Sequence, residues 1–345
     1  KKILPKLGEL GCFGPFIPTE FGGAELDQIS YGLIMQELER GDSGIRSTAS
    51  VQSSLVMFPI YAYGTSLQKE KYLPGLCSGK MLGAFGLTEP NAGSDAGNTQ
   101  TRAVKKGDGY VINGQKAFCT NAGYAGTIII TAVVDDGDDK QIGAFIVEKG
   151  TDGLRIGEPE DKMGWKGSDT RSVYFEDMYI PKENVLGNPS KGFKQFLRTL
   201  TGGRITIGAL SLGTAQGAYE RALRYSCERE AFGKQINKFQ GVSFKLADMA
   251  TSIQASKHLV YNAAYLKDQG EDIIKEAAMA KLFSSEMCMK VTTEAIQVLG
   301  GYGYIKEYDV ERFFRDSKIL EIGEGTSEVQ RIIISREILN TVNSI

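Results

Sequence analysis

The sequence predicts an α+β protein in three parts: a helical N-terminal domain over 1–82, a central β-barrel-like domain over 83–188 and a C-terminal four-helix bundle over 189–345. Three observations carry this prediction. Apolar residues recur at helical spacing near the start. A stretch of about a hundred residues, an ordinary size for one domain, is rich in β-branched side chains broken by Gly, Asp and Asn. Long amphipathic runs then fill the remainder, and four of them make a bundle.

The elements follow in order. Lys1 to Leu10 reads as mid-helix, which implies a preceding N-terminal helix. Pro18-Thr-Glu-Phe-Gly-Gly23 is a turn, Tyr31 to Glu39 a helix, and Ser66 to Pro74 a short helix stopped by its proline. Tyr110-Val-Ile-Asn-Gly-Gln-Lys116 predicts a hairpin with Asn-Gly at the turn. Thr127–Val134 and Ile142–Glu148 read as strands around an Asp-rich loop, and Arg171–Ile180 as another ended by Pro181. Helices are expected over Ile205–Arg229, Phe239–Gln269, Asp272–Leu299 and Thr326–Leu339.

Composition excludes several functions. A net charge of -2 gives no basic face for nucleic acid. No apolar run is long enough to span a bilayer, so no membrane partner is expected. Five widely spaced cysteines, with no CxxC pair, fit a reducing compartment and argue against a disulfide framework or zinc site. The single histidine, His258, removes His-based triads and HExxH chemistry together. Catalysis must rest on carboxylates, a cofactor, or both, and no metal is expected.

Five segments have the residue types for binding or chemistry. In Leu87-Thr-Glu-Pro-Asn-Ala-Gly-Ser-Asp95, Thr88 and Ser94 offer hydroxyls and Gly93 allows close approach, though a plain turn looks the same. In Lys116-Ala-Phe-Cys-Thr-Asn-Ala-Gly123, Phe118 suits the face of a flat ring and Thr120 its edge. Cys227-Glu-Arg-Glu-Ala-Phe-Gly-Lys234 sets Arg229 at a helix junction, suited to a pyrophosphate or to a helix C-cap. Gln297-Val-Leu-Gly-Gly-Tyr-Gly-Tyr304 lacks the strand-then-helix context of a dinucleotide fingerprint. In Glu321-Ile-Gly-Glu-Gly-Thr-Ser-Glu-Val-Gln330, Glu324 lies between glycines at the mouth of a helix. A carboxylate in an apolar pocket there is raised toward the range of a general base; otherwise it is a surface residue beside a Thr326 N-cap.

Taken in this order, the segments resemble the acyl-CoA dehydrogenase family over essentially the whole chain. The resemblance implies FAD between the β-domain and the bundle, a homotetramer, an acyl-CoA substrate and electron transfer to an electron-transferring flavoprotein. It implies that Phe85, Leu87, Thr88 and Ser94 line the flavin and thioester, with Phe118 and Thr120 on the opposite face. Arg229, Phe232, Gln240, Gln297 and Gly301 would reach the FAD of a neighbouring subunit, and Thr326 and Glu328 its adenylate side. Glu324 falls on the family's catalytic glutamate, taking the α-proton while a hydride leaves the β-carbon for flavin N5, with Arg204, Gly325 and Ser94 toward the substrate. Some relatives carry the base just before the bundle arginine; here that position is Gly203. The implied location is the cytoplasm, or the mitochondrial matrix in a eukaryote.

Three positions depart from the family pattern: Gly323 before the base, Phe118 for a tryptophan, and Thr201 for an aspartate. The segment Glu39-Arg-Gly-Asp-Ser-Gly-Ile-Arg-Ser-Thr-Ala-Ser50 resembles glutaryl-CoA dehydrogenases, whose distal-carboxylate pair matches Arg46 and Ser50. A carboxylated acyl thioester is therefore expected, unless Arg46 is neutralised by Glu39 or Asp42. The alternatives are a short- or branched-chain acyl-CoA dehydrogenase, or an enzyme of the same fold acting on a carrier-protein thioester.

Overall fold

A computed structural model describes residues 3–135 and 141–342. The Asp-rich loop expected before Ile142 lies largely outside the described residues. The helices of the first part are α1 Leu4–Glu9, α2 Gln28–Gly41, α3 Ser43–Ser50, α4 Phe58–Tyr63 and α5 Ser66–Cys77, with a π-helical segment, Val51–Met57, leading into α4. The strands are β1 Gly83–Gly86, β2 Arg102–Lys106, β3 Gly109–Thr120, β4 Thr127–Asp135, β5 Gln141–Glu148, β6 Leu154–Pro159 and β7 Thr170–Ile180. After them come α6 Gly192–Glu228, a two-stranded hairpin β8 Glu230–Ala231 and β9 Lys234–Gln235, α7 Gln240–Asp268, α8 Ile274–Leu299, α9 Gly301–Tyr304, α10 Val310–Ser317 and α11 Ser327–Val342. The chain forms two compact units. One holds Lys1–Asp27, Ser47–Asp161 and Lys166–Leu200; the other holds Gln28–Arg46, Lys162–Trp165 and Thr201–Ile345.

In the first unit the strands make one sheet in the order β1-β4-β2-β3-β7-β6, with β5 also paired to β4. The junction is β4: β1 and β2 pair with its two halves in parallel, and β5 pairs along it antiparallel. Ile128, Ile129 and Ile130 are all buried, so β4 is covered on both faces, and it reads as a continuous apolar run for that reason. Its core partners include Ile112, Phe145, Val147, Val173 and Phe175.

Two local expectations fail. The turn is not at Asn113-Gly114. The chain reverses at Gly107-Asp108, and β3 runs on through Asn113-Gly114 opposite a bulge in β7, where Glu176 and Asp177 face the single Asn113. Gly114 takes φ +144, and a Cβ there would lie 2.7 Å from the Thr101 Cα. Asn113 exchanges hydrogen bonds with Asp177 across the bulge. Turn chemistry is thus used inside a strand. Similarly, α5 passes through Pro74 and ends at Cys77. One missing N–H is outweighed by the buried face of Tyr72, Leu73 and Leu76.

The second unit contains the expected bundle helices: α6 from Thr201 onward, α7, α8 and α11. Within it α8 packs against α7, α10 and α11, and α2 lies against α7. Among the described residues no helix is long and apolar enough to cross a membrane, and no group of side chains could hold a metal ion.

Candidate active site

In the second unit a 3₁₀ turn, Lys318–Glu321, leads to Glu324 and then to α11. Thr326 starts that helix: its Oγ1 accepts the Val329 N–H at 3.3 Å, as an N-cap does. Glu324 takes φ +54 and Gly325 φ +95. A left-handed glutamate is strained by roughly 1 kcal/mol or more, and such strain is concentrated at functional sites. The turn aims the side chain inward. Glu324 Oε2 is shielded from solvent and has no hydrogen-bond partner among the described residues, although the residue as a whole is only partly covered.

What receives the carboxylate is Gly203, on α6. A Cβ at that position would fall 1.8 Å from Glu324 Oε2. The two positions that the resemblance offers for a base therefore meet in space, and the glycine at one admits the glutamate at the other. Burial raises the Glu324 carboxyl to about 7, against the opposing pull of Lys281, Arg204 and Arg46. Arg204 is buried, its Nη1 reaching Thr201 Oγ1 at 3.3 Å and its Nε without a partner among the described residues. A buried carboxyl near neutrality can both lose and accept a proton at working pH.

Arg46 and Ser50 both lie on α3, four residues apart as expected. Arg46 is buried and forms an ion pair with the fully buried Glu39. Its guanidinium lies 4.1 Å from the centroid of the Trp165 ring. Glu39 also accepts hydrogen bonds from Ser43 and Thr214. The protein thus supplies its own counter-ion to Arg46, and the physical need for a substrate carboxylate falls away. The Ser50 hydroxyl donates to the Ser47 carbonyl of its own helix.

The residues expected near the flavin ring share the first unit. Lys116, fully buried, donates to Glu89 Oε1 at 2.6 Å, Thr131 Oγ1 at 3.0 Å and the Leu87 carbonyl at 3.2 Å. Glu89 takes the backbone N–H groups of Gln100 and Thr101. The Ala117 N–H donates to the Thr88 carbonyl. This network fastens the Leu87–Asp95 loop to the end of β3. There Phe118 takes φ +56 and holds its ring 66% exposed. Thr120 is half-buried and Ser94 is exposed, while the Phe85 ring stacks on Phe196 at 4.6 Å.

In the second unit Arg229 and Gly301 line one open groove of about 480 Å³, with Tyr225, Gly300 and Tyr302. Gly300 and Gly301 have nothing within 4 Å of a built Cβ, so backbone is presented to the groove. Phe232, in the β8–β9 hairpin, takes φ +51 and is 95% exposed. Gln240, Gln297 and Glu328 are exposed. In this unit an arginine beside open glycine backbone suits the pyrophosphate of FAD. Within the first unit, the outward Phe118 ring suits a flat ring such as that of FAD.

Reading the sequence missed Lys281, Trp165 and the Lys116–Glu89 pair. Lys281 had a signal: it sits at helical spacing with Ala277, Ser284 and Cys288 on the buried face of α8.

Three family models match the chain: the acyl-CoA dehydrogenase N-terminal domain over residues 1–80, the middle domain over 84–178 and the C-terminal domain over 190–339. A probable acyl-CoA dehydrogenase, YngJ, of Bacillus subtilis is 52% identical over 97% of this chain and 88% of its own length. The short-chain specific acyl-CoA dehydrogenase of Clostridium acetobutylicum is 48% identical over 96% of this chain and 88% of its own. Among solved structures, butyryl-CoA dehydrogenase of Megasphaera elsdenii superposes with a TM-score of 0.96 at 46% identity, covering 98% of this chain and 90% of that one. A structure described as the electron transferring flavoprotein of Acidaminococcus fermentans, in work on flavin-based electron bifurcation, gives 0.95 at 49%, covering 98% and 89%. With this agreement over all three parts of the chain, the chain belongs to the acyl-CoA dehydrogenases, flavin-dependent oxidoreductases that use FAD.

Proposed function

We propose that the chain dehydrogenates a short-chain acyl-CoA between its α- and β-carbons, with Glu324 removing the α-proton. One observation carries the reading: Glu324 Oε2 is buried, unpartnered and part of a carboxyl raised to about 7. FAD, when bound, supplies the two-electron acceptor. Glu324 accepts the α-proton in a site where few competing hydrogen bonds hold its lone pairs, and its left-handed backbone keeps the side chain aimed. The positive charges of Arg204, Lys281 and Arg46 keep enough of the carboxylate ionised to act. Arg229 in its groove is suited to the anionic part of the cofactor, and Phe118 to the ring.

The short-chain assignment has two supports. Arg46 is already paired with Glu39, and relatives with the names short-chain and butyryl-CoA dehydrogenase match at 46–48% identity. Transfer of electrons to an electron-transferring flavoprotein is part of the proposal, supported by the similarity to the Acidaminococcus structure. A homotetramer is also proposed, because exposed Phe244, Ile332 and Leu339 leave apolar surface on α7 and α11.

The test is anaerobic bleaching of the flavin. Wild-type protein should be reduced by butyryl-CoA, and E324Q should keep FAD without being reduced. Rapid reduction of E324Q by butyryl-CoA refutes the base assignment. A preference for glutaryl- over butyryl-CoA that disappears in R46A restores the carboxylated substrate.

A further inference from the structure

Behind the Glu324 turn lies a buried lysine that the scheme above uses only as one of three nearby charges. Lys281 is fully buried on α8, and its Nζ donates to the Gly325 carbonyl at 2.8 Å. Gln330, also fully buried, donates to the same carbonyl at 2.8 Å and more weakly to the Glu324 carbonyl at 3.4 Å. Two successive left-handed residues interrupt the backbone here between the 3₁₀ turn and α11. Side-chain donors from behind therefore hold the turn in place of a regular ladder.

We propose that Lys281 is a positioning residue for the reaction: its ammonium clamps the Glu324-Gly325 turn through the Gly325 carbonyl and, at the same time, favours the ionised form of Glu324. The inference rests on the reading of Glu324 as the base. A lysine is poorly suited to a buried structural hydrogen bond, since an amide donor fills that role without bringing a charge out of water. Gln330 already supplies such an amide to the same oxygen. What Lys281 adds is charge.

The surrounding groups agree. Burial pulls Lys281 down to about 8, with Glu324 the largest influence holding it up; Glu321 and Glu328 act the same way, and Arg204 acts against them. Toward Glu324 the order is Lys281, then Arg204, then Arg46. Lys281 is thus the strongest single counterweight to the desolvation of the base, and the two groups bias one another.

The experiment compares FAD-loaded wild type, K281M, K281Q and K281R by the pH dependence of anaerobic flavin reduction with butyryl-CoA. In K281M the pH of half-maximal rate should move alkaline by about one pH unit or more, so the rate at pH 7 falls roughly tenfold and recovers at higher pH. K281Q, which retains a donor for the carbonyl, should show the same alkaline displacement with a smaller loss of limiting rate, and K281R should restore a near wild-type profile. Infrared titration gives a second readout independent of turnover: the protonated-carboxyl band that is absent in E324Q should titrate at higher pH in K281M and K281Q. If K281M does not hold FAD, K281Q decides. An unchanged pH midpoint in K281Q, or an equal fall at every pH, overturns the proposal. If E324Q reduces flavin normally the base reading fails, and the infrared titration still tests Lys281 by itself.

Discussion

Replacing Glu324 by glutamine should stabilise the protein, and only above a definite pH. The folded state holds this carboxyl near 7, whereas the ordinary value is 4.5. Between those two pH values the folded form binds more protons than the unfolded form, so stability contributed by this group falls as pH rises. The difference from 4.5 to about 7 corresponds to about 3 kcal/mol, lost almost entirely by pH 8 and less than about 1 kcal/mol at pH 5. Glutamine has no such dependence. Lys281 loses its strongest favourable neighbour in the variant, so about 3 kcal/mol is a ceiling. Thermal unfolding of the FAD-loaded proteins at pH 5 and pH 8 gives the measurement. E324Q should melt a few degrees above wild type at pH 8 and close to it at pH 5. Equal differences at the two pH values, or a loss confined to pH 8, would show that burial does not raise this carboxyl.

Three other substitutions probe separate parts of the site. In G203A the new methyl meets Glu324 Oε2 and displaces the carboxylate; stopped-flow flavin reduction should slow at least tenfold, about 1.4 kcal/mol in the barrier, and an unchanged rate refutes the contact. K116M leaves Glu89 buried without its ion-pair partner, so urea unfolding of the β-unit should lose about 3–5 kcal/mol; a neutral effect would mean that Glu89 is not ionised there. R229A removes a charged donor from the groove, and ultrafiltration should show FAD held about ten- to a hundredfold more weakly, whereas unchanged affinity would dissociate this groove from the cofactor.

The architecture was legible because its signals are long. Helices α6, α7, α8 and α11 and the isoleucine-rich β4 repeat their pattern over many residues, and no single position decides them. Short signals misled. Asn113-Gly114 has the composition of a hairpin turn, but Asn113 pairs with Asp177 across a bulge in β7, and Asp177 lies far along the chain. Pro74 ends a helix in isolation and does not here, since the turn after it is anchored by burial.

At the site, the Glu-Gly-Thr setting singles out Glu324 as the proposed base, but its left-handed backbone and the room left by Gly203 are not legible. Each depends on another element. Arg46 illustrates the limit most directly. The spacing to Ser50 came from one helix and was legible, whereas the Trp165 ring against Arg46 comes from the connection between β6 and β7, far along the chain.

The backbone at Glu324 has a consequence for anyone redesigning this chain. Glycine or asparagine would sit more comfortably at φ +54, and any neutral side chain would avoid the buried charge. A procedure that ranks sequences by stability alone would therefore discard the glutamate among its first choices and return a sturdier flavoprotein without the proposed base. Position 324 is better fixed before such a search begins than recovered after it.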